Sequence, residues 1–141
     1  MNKSKFICLT LCLTLFAAVL CTTSCENKGD TAEIIHPITI TISIDYPKKS
    51  ELPDVETTAF KIEENSSVLE AIQIYCNVND MSVNVETTDG TIVGINDLNN
   101  GDFHPNRIWQ YKVNGQLCAD SAGDYVLQDG DVLEWVYKKI D

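Results

Sequence analysis

The sequence predicts an α+β domain, a mixed β-sheet with one helix packed across a face. Three observations carry this. Ile38, Ile40, Ile42 and Ile44 alternate with Thr39, Thr41, Ser43 and Asp45, the period of two that marks a strand with one buried face. Near residue 68 the apolar period lengthens to about 3.6, that of a helix. Beyond it, alternating runs return between the turn dipeptides Asp89-Gly90, Asn114-Gly115 and Asp129-Gly130, whose glycines tolerate positive φ.

Each element follows in order. After the first strand, Tyr46 to Pro53 contains Pro47, Lys48, Lys49 and Pro53 and reads as a loop. Thr58, Phe60 and Ile62 alternate with Ala59, Lys61 and Glu63, which makes this run the hairpin partner of the first strand. Ser67 with Glu70 three residues on is a capping-box signature, and Val68, Leu69, Ile72, Tyr75 and Cys76 fall on one helical face. A helix of about ten residues is therefore expected from Val68 to near Asn77. Met81, Val83 and Val85 resume a strand pattern, and Thr91 to Ile95 returns after Asp89-Gly90. Asn96 to Asn106 is polar, broken by Pro105, and reads as a loop with Phe103 and His104 near its tip. Ile108 to Val113, a short segment around Leu117 and Val132 to Lys138 complete the strands. Two strands, one helix and three or four further strands follow the plan of a β-grasp domain.

The first 24 residues differ from the rest. Lys3 and Lys5 precede an uncharged stretch from Phe6 to Cys21, followed by Thr22, Thr23 and Ser24, the pattern of a secretory signal. The stretch is shorter than the roughly 20 residues that span a bilayer. Cys25 after the small Ser24 resembles a bacterial lipobox, in which the thiol takes a diacylglycerol and becomes the new N-terminus. Thr22 stands where Leu is usual; ordinary signal-peptidase cleavage is the alternative, and Cys21 a second acceptor. The expected organisation is a lipoprotein signal peptide at 1–24, a flexible tether at 25–36 and one domain at 37–141. Two or more acyl chains would anchor the protein without a spanning helix. Glu26 after the Cys, without an Asp at the next position, favours the outer membrane or cell surface in a cell with two membranes.

Charge and chemistry narrow the function. Ten Lys and Arg against 21 Asp and Glu give −11, and removing Lys3 and Lys5 with the leader lowers it to −13. Such a surface repels phosphate backbones, which excludes nucleic acid as a partner. Cys8, Cys12 and Cys21 leave with the leader, so Cys76 and Cys118 remain in the domain, either as a disulfide or as two small buried hydrophobes. The chain contains no Gly-rich phosphate loop, HExxH, CxxC or GxSxG. His36 and His104 each precede a proline and lack a second ligand-type residue at helical spacing, so no preformed metal site is expected. Asp97 to Asp102 looks like a calcium loop, but its Gly falls at position five and Ile108 occupies position twelve, where a bidentate Glu is needed. The chain is read as non-enzymatic, with no required cofactor.

What remains are aromatics near turns: Phe103, Trp109, Tyr111, Tyr125, Trp135 and Tyr137. They can fill the core of a small domain, or bind a planar organic ligand alongside nearby amides. The runs Trp109-Gln110-Tyr111-Lys112-Val113-Asn114-Gly115, Ala122-Gly123-Asp124-Tyr125 and Leu127-Gln128-Asp129-Gly130-Asp131-Val132-Leu133-Glu134-Trp135 resemble the C-terminal domain of transcobalamin and intrinsic factor and its bacterial relatives of the DUF4430 type. Ser67-Val68-Leu69-Glu70-Ala71 and Ile92-Val93-Gly94-Ile95 are similar as well, and the resemblance spans about residues 38 to 138. In the vitamin carriers this domain closes over the corrin face of cobalamin while a helical domain, absent from this chain, holds the other side. The resemblance implies ligand contacts from Phe103, His104, Trp109, Tyr111, Asn114, Gln116 and Tyr125, with His104 as the imidazole donor to cobalt. It implies a cobalamin or other corrinoid ligand, passed to an uptake transporter or a second envelope lipoprotein. The other reading is a module that recognises an envelope protein or a glycan through a strand edge or aromatic patch.

Overall fold

The computed structural model describes residues 36–140. The expected signal peptide, Cys25 and nearly all of the tether lie outside the described residues. The elements are β1 (Pro37–Asp45), β2 (Val55–Glu63), α1 (Val68–Val78), β3 (Val83–Val85), β4 (Ile92–Ile95), β5 (Leu98–Asn99), β6 (Arg107–Val113), β7 (Gln116–Leu117) and β8 (Val132–Lys139). Five strands form one sheet in the order β2-β1-β8-β6-β7, and β3-β4-β5 form a second, smaller one. β1 and β8 pair in parallel at the centre, with Ile42 opposite Leu133 and Ile44 opposite Trp135. The other pairings are antiparallel. This is the expected α+β fold with a β-grasp-like mixed sheet.

The isoleucine alternation of β1 fixes which face is covered. Ile40, Ile42 and Ile44 are fully buried and join Ile62, Leu133 and Trp135 with Val68, Ala71, Ile72, Tyr75 and Cys76 of α1 in one core. The capping box forms as read: Glu70 N–H donates to Ser67 Oγ at 3.2 Å, and Ser67 N–H donates to Glu70 Oε2 at 2.8 Å. Two more donors of the first helical turn, which an isolated helix leaves unpaired, reach the 122–125 segment. Val68 N–H donates to the Tyr125 carbonyl at 3.0 Å and Leu69 N–H to that of Ala122 at 2.8 Å. The helix thus ties the segment before β8 to the core.

One expectation changes. The stretch read as a loop from Asn96 begins as a hairpin, because Asn96 and Asp97 both adopt positive φ (50° and 63°) and return the chain as β5, the two-residue turn that suits sheet twist. Two strand residues are too few for alternation to reveal, yet Leu98 is buried. In the same small sheet, the Asn84 Nδ2 to Asn99 Oδ1 bond at 2.8 Å passes over Gly94, where a Cβ would lie 2.4 Å from Asn99 Oδ1; only glycine leaves room for it. Of the two readings open for Cys76 and Cys118, the structure has both as thiols. Cys76 is a buried thiol on α1, while Cys118 follows β7, partly exposed and also free.

Candidate functional site

Among the described residues, β6 borders two clefts. Its alternation turns Trp109, Tyr111 and Val113 into the core. Trp109 is held at three points: Nε1 donates to the Leu98 carbonyl at 2.8 Å, its N–H donates to Asn100 Oδ1 at 2.7 Å, and its ring meets Tyr46 and Tyr137 edge-on at 5.6 and 5.5 Å. Tyr111 Oη donates to the Asp120 carbonyl at 2.9 Å, and Cys118 N–H donates to the Tyr111 carbonyl at 3.2 Å, so the 118–122 segment is pinned over the strand. Burial, with Cys118 and Asp120 nearby, pushes the Tyr111 hydroxyl up to about 12 and keeps it a donor.

Between that segment, β4 and the middle of β6 lies a cleft of about 410 Å³, bordered by Ile92, Gln110, Tyr111, Asp120, Ser121 and Trp135. Trp135 is 2 % exposed, and its indole Nε1 is buried without a hydrogen-bond partner. Burying such a donor unpaired costs roughly 1 to 3 kcal/mol. The size falls in the range of small-molecule sites.

A second cleft, of about 380 Å³, lies at the start of β6 and is lined by Pro47, Lys48, Lys49, Phe103, His104 and Arg107. The predicted site residues therefore separate. Phe103 and His104 line the second cleft, while Trp109 and Tyr111 border the first. Tyr125, partly buried, meets Tyr111 at 6.2 Å. Asn114 and Gln116 flank the β6–β7 turn, about 20 Å along the strand from Arg107 at roughly 3.3 Å per residue. Asn114 spends its amide locally, donating to Asp131 Oδ1 at 2.9 Å and accepting from Val132 N–H at 3.0 Å.

Sequence reading missed Asp120 and Ser121, which carry no motif, and the unpaired state of Trp135 Nε1, which no pattern encodes. It also missed the meeting of Lys48 and Lys49 with Arg107, more than fifty residues apart. Among the described residues, no group of three or more His, Cys, Asp or Glu side chains could hold a metal ion.

A β-grasp-like sheet with a half-open cleft beside its third central strand defines a domain class rather than a reaction. The family model for DUF4430, a domain of unknown function, matches residues 65–139, and the chain belongs to that family. Its fold is similar to that of haptocorrin, solved in complex with Cbi, at a TM-score of 0.62 and 18% identity over 77% of this chain. The match takes in 27% of the haptocorrin chain, so this protein corresponds to about a quarter of that one. It is also similar, at a TM-score of 0.51 and 15% identity, to a candidate metal binding protein from Ruminococcus gnavus, over 74% of this chain and 99% of that one. At these identities the likeness is one of fold. No curated protein sequence matches the chain.

Proposed function

We propose that this domain is an exported, lipid-anchored, non-enzymatic binding module whose cleft beside Trp135 takes the edge of a planar ligand, with a cobalamin or another corrinoid as that ligand. One observation carries the reading: a cleft of about 410 Å³ bordered by Trp135, a residue whose indole N–H is buried without a partner. The amide-bearing periphery of a corrinoid supplies the acceptors that such a donor lacks, and the fold is shared with a protein that holds Cbi. His104 Nδ1 accepts from Asn106 N–H at 3.2 Å, which leaves Nε2 as the ring nitrogen free to meet a ligand. Cys25 is the acylated residue, and the ligand passes to an uptake transporter or a second envelope lipoprotein.

Titration with cobinamide and with cobalamin, followed by visible absorbance and calorimetry, tests this. Saturable binding below millimolar concentration is expected. Trp135→Phe should weaken it about 3- to 10-fold, as the loss of one hydrogen bond implies, without a fall in affinity of the same size for variants outside the cleft. No binding of either corrinoid at submillimolar concentration defeats the reading. The interaction module then takes its place, favoured by β2, a nine-residue edge strand with Glu56 to Ala59 exposed and so open to strand addition. Anchoring is checked separately by labelling with a lipid precursor: Cys25→Ala should abolish incorporation, and unchanged labelling would remove Cys25 as the acceptor.

A further inference from the structure

The cleft at the start of β6 does not share the chemistry of the one beside Trp135. Three of the chain's ten Lys and Arg residues line it, together with His104, and no carboxylate does, in a protein with 21 Asp and Glu. Arg107 also stands opposite Lys139 in the β6–β8 register, a like-charge pairing that is unfavourable unless an anion lies near it. The nearby Asp102 is not among the residues that line it, and its Oδ2 accepts from Asn99 N–H at 2.7 Å.

The walls are built rather than loose. Ser50 N–H and Oγ both donate to the Pro47 carbonyl at 2.8 Å, closing the turn that presents Lys48 and Lys49. Gly101 N–H donates to the Arg107 carbonyl at 2.8 Å, and Arg107 N–H donates to that of His104 at 2.9 Å. The imidazole, held through Nδ1 by Asn106, presents Nε2–H as a further donor. Phe103 is 38 % exposed, with its ring set at 86° to Tyr137 at 6.4 Å.

We propose that this cleft binds the phosphate group of a small soluble molecule whose flat apolar portion lies against Phe103. Two ammonium groups, a guanidinium and an imidazole N–H suit a compact dianion with several acceptor oxygens. The occupant is small because of the field around it. The net charge of −11 repels extended polyanions and anionic bilayers, whereas a single phosphate within about 8 Å of the cationic groups is screened from the distant carboxylates. The site is independent of the corrinoid reading and stands if that reading fails.

Phenyl phosphate and inorganic phosphate are titrated into the purified full chain by calorimetry, at low and at high salt. Phenyl phosphate should saturate at about millimolar concentration or below at low salt, bind several-fold tighter than inorganic phosphate, and weaken as salt rises. Arg107→Gln and the double change of Lys48 and Lys49 to Gln should each reduce affinity about tenfold or more, and Phe103→Ala should erase the preference for the phenyl ester. These side chains are exposed, so unchanged melting temperatures are expected and separate site loss from unfolding. Absence of saturable phenyl phosphate binding, or binding indifferent to Arg107→Gln, overturns the proposal. In a second arm, phosphatidylcholine vesicles with and without phosphatidate should retain the chain equally. Retention that requires phosphatidate and is lost in Arg107→Gln would assign the cleft to a lipid headgroup and overturn the soluble ligand.

Discussion

Ile42→Ala probes the centre of the fold. Ile42 is fully buried on β1, between Thr58 of β2 and Leu133 of β8. The substitution removes three carbons, worth about 2.4 kcal/mol at roughly 0.8 kcal/mol per buried methylene. β1 is flanked by strands on both sides, so the backbone cannot move in to close the space. The cavity term then adds about 1 to 2 kcal/mol, and the total falls within the roughly 2 to 5 kcal/mol seen for such truncations. Urea unfolding followed by the fluorescence of the buried Trp109 and Trp135 should show this as a lower midpoint at unchanged slope. In a domain of this size the melting temperature should fall by at least about 10 °C. Val132→Ala, on the adjacent strand but 37 % exposed, is the control and should cost less than about 1 kcal/mol. A loss for Ile42→Ala below about 1 kcal/mol, or equal to that of the control, would refute the placement of β1 at the core.

Three further outcomes are expected. Burial pushes the Tyr46 and Tyr111 hydroxyls up to about 12 and the Cys76 thiol up to about 11; the folded state therefore keeps protons that the unfolded chain begins to lose near pH 9 to 10. Their stabilising contribution is complete below that range and disappears as pH rises through about 11 to 12, and a flat melting temperature from pH 8 to pH 11 would contradict it. In the native protein at pH 8, iodoacetamide should label Cys118 well before Cys76, because reaction needs an accessible thiolate; equal rates by peptide mass spectrometry would mean that α1 opens readily. Deleting residues 1–35 should leave the melting temperature within about 2 °C, since 26–35 has no apolar period, and a large drop would move the domain boundary.

The fold could be read from the chain wherever a local rule agreed with the global one. The isoleucines of β1, the Ser67–Glu70 box and the Asn114-Gly115 turn each report their own geometry, and each reappears in the structure. β5 could not be read in this way, because its two residues are fixed by the turn before them and by the Trp109 indole on the Leu98 carbonyl. The sites were harder for the same reason in stronger form. Trp109 and Tyr111 have the residue types of a ligand face, and nothing in their spacing distinguishes that role from core packing. Their orientation depends on Leu98 and Asp120, partners that only the folded chain brings close.

Aromatic rings stand beside both clefts, in two separate sets. Phe103 meets Tyr137, Tyr137 meets Trp109, and Trp109 meets Tyr46, while Tyr111 packs on Trp135 at 5.5 Å beside the first cleft. Coupling between sites needs an element with two arrangements that both ligands bias. Here the strand rings are fixed by Trp109 Nε1 on Leu98, Tyr111 Oη on Asp120 and Tyr137 Oη on the Asn99 carbonyl at 3.1 Å. Moving Trp109, Tyr111 or Tyr137 breaks a hydrogen bond in a close-packed core, so these three rings act as fixed spacers and offer no second arrangement for either ligand to bias. The difference between the clefts is one of charge. Binding beside Trp135 rests on desolvation and a neutral donor and should respond little to salt, whereas binding beside Arg107 rests on cations at the surface and should weaken with it.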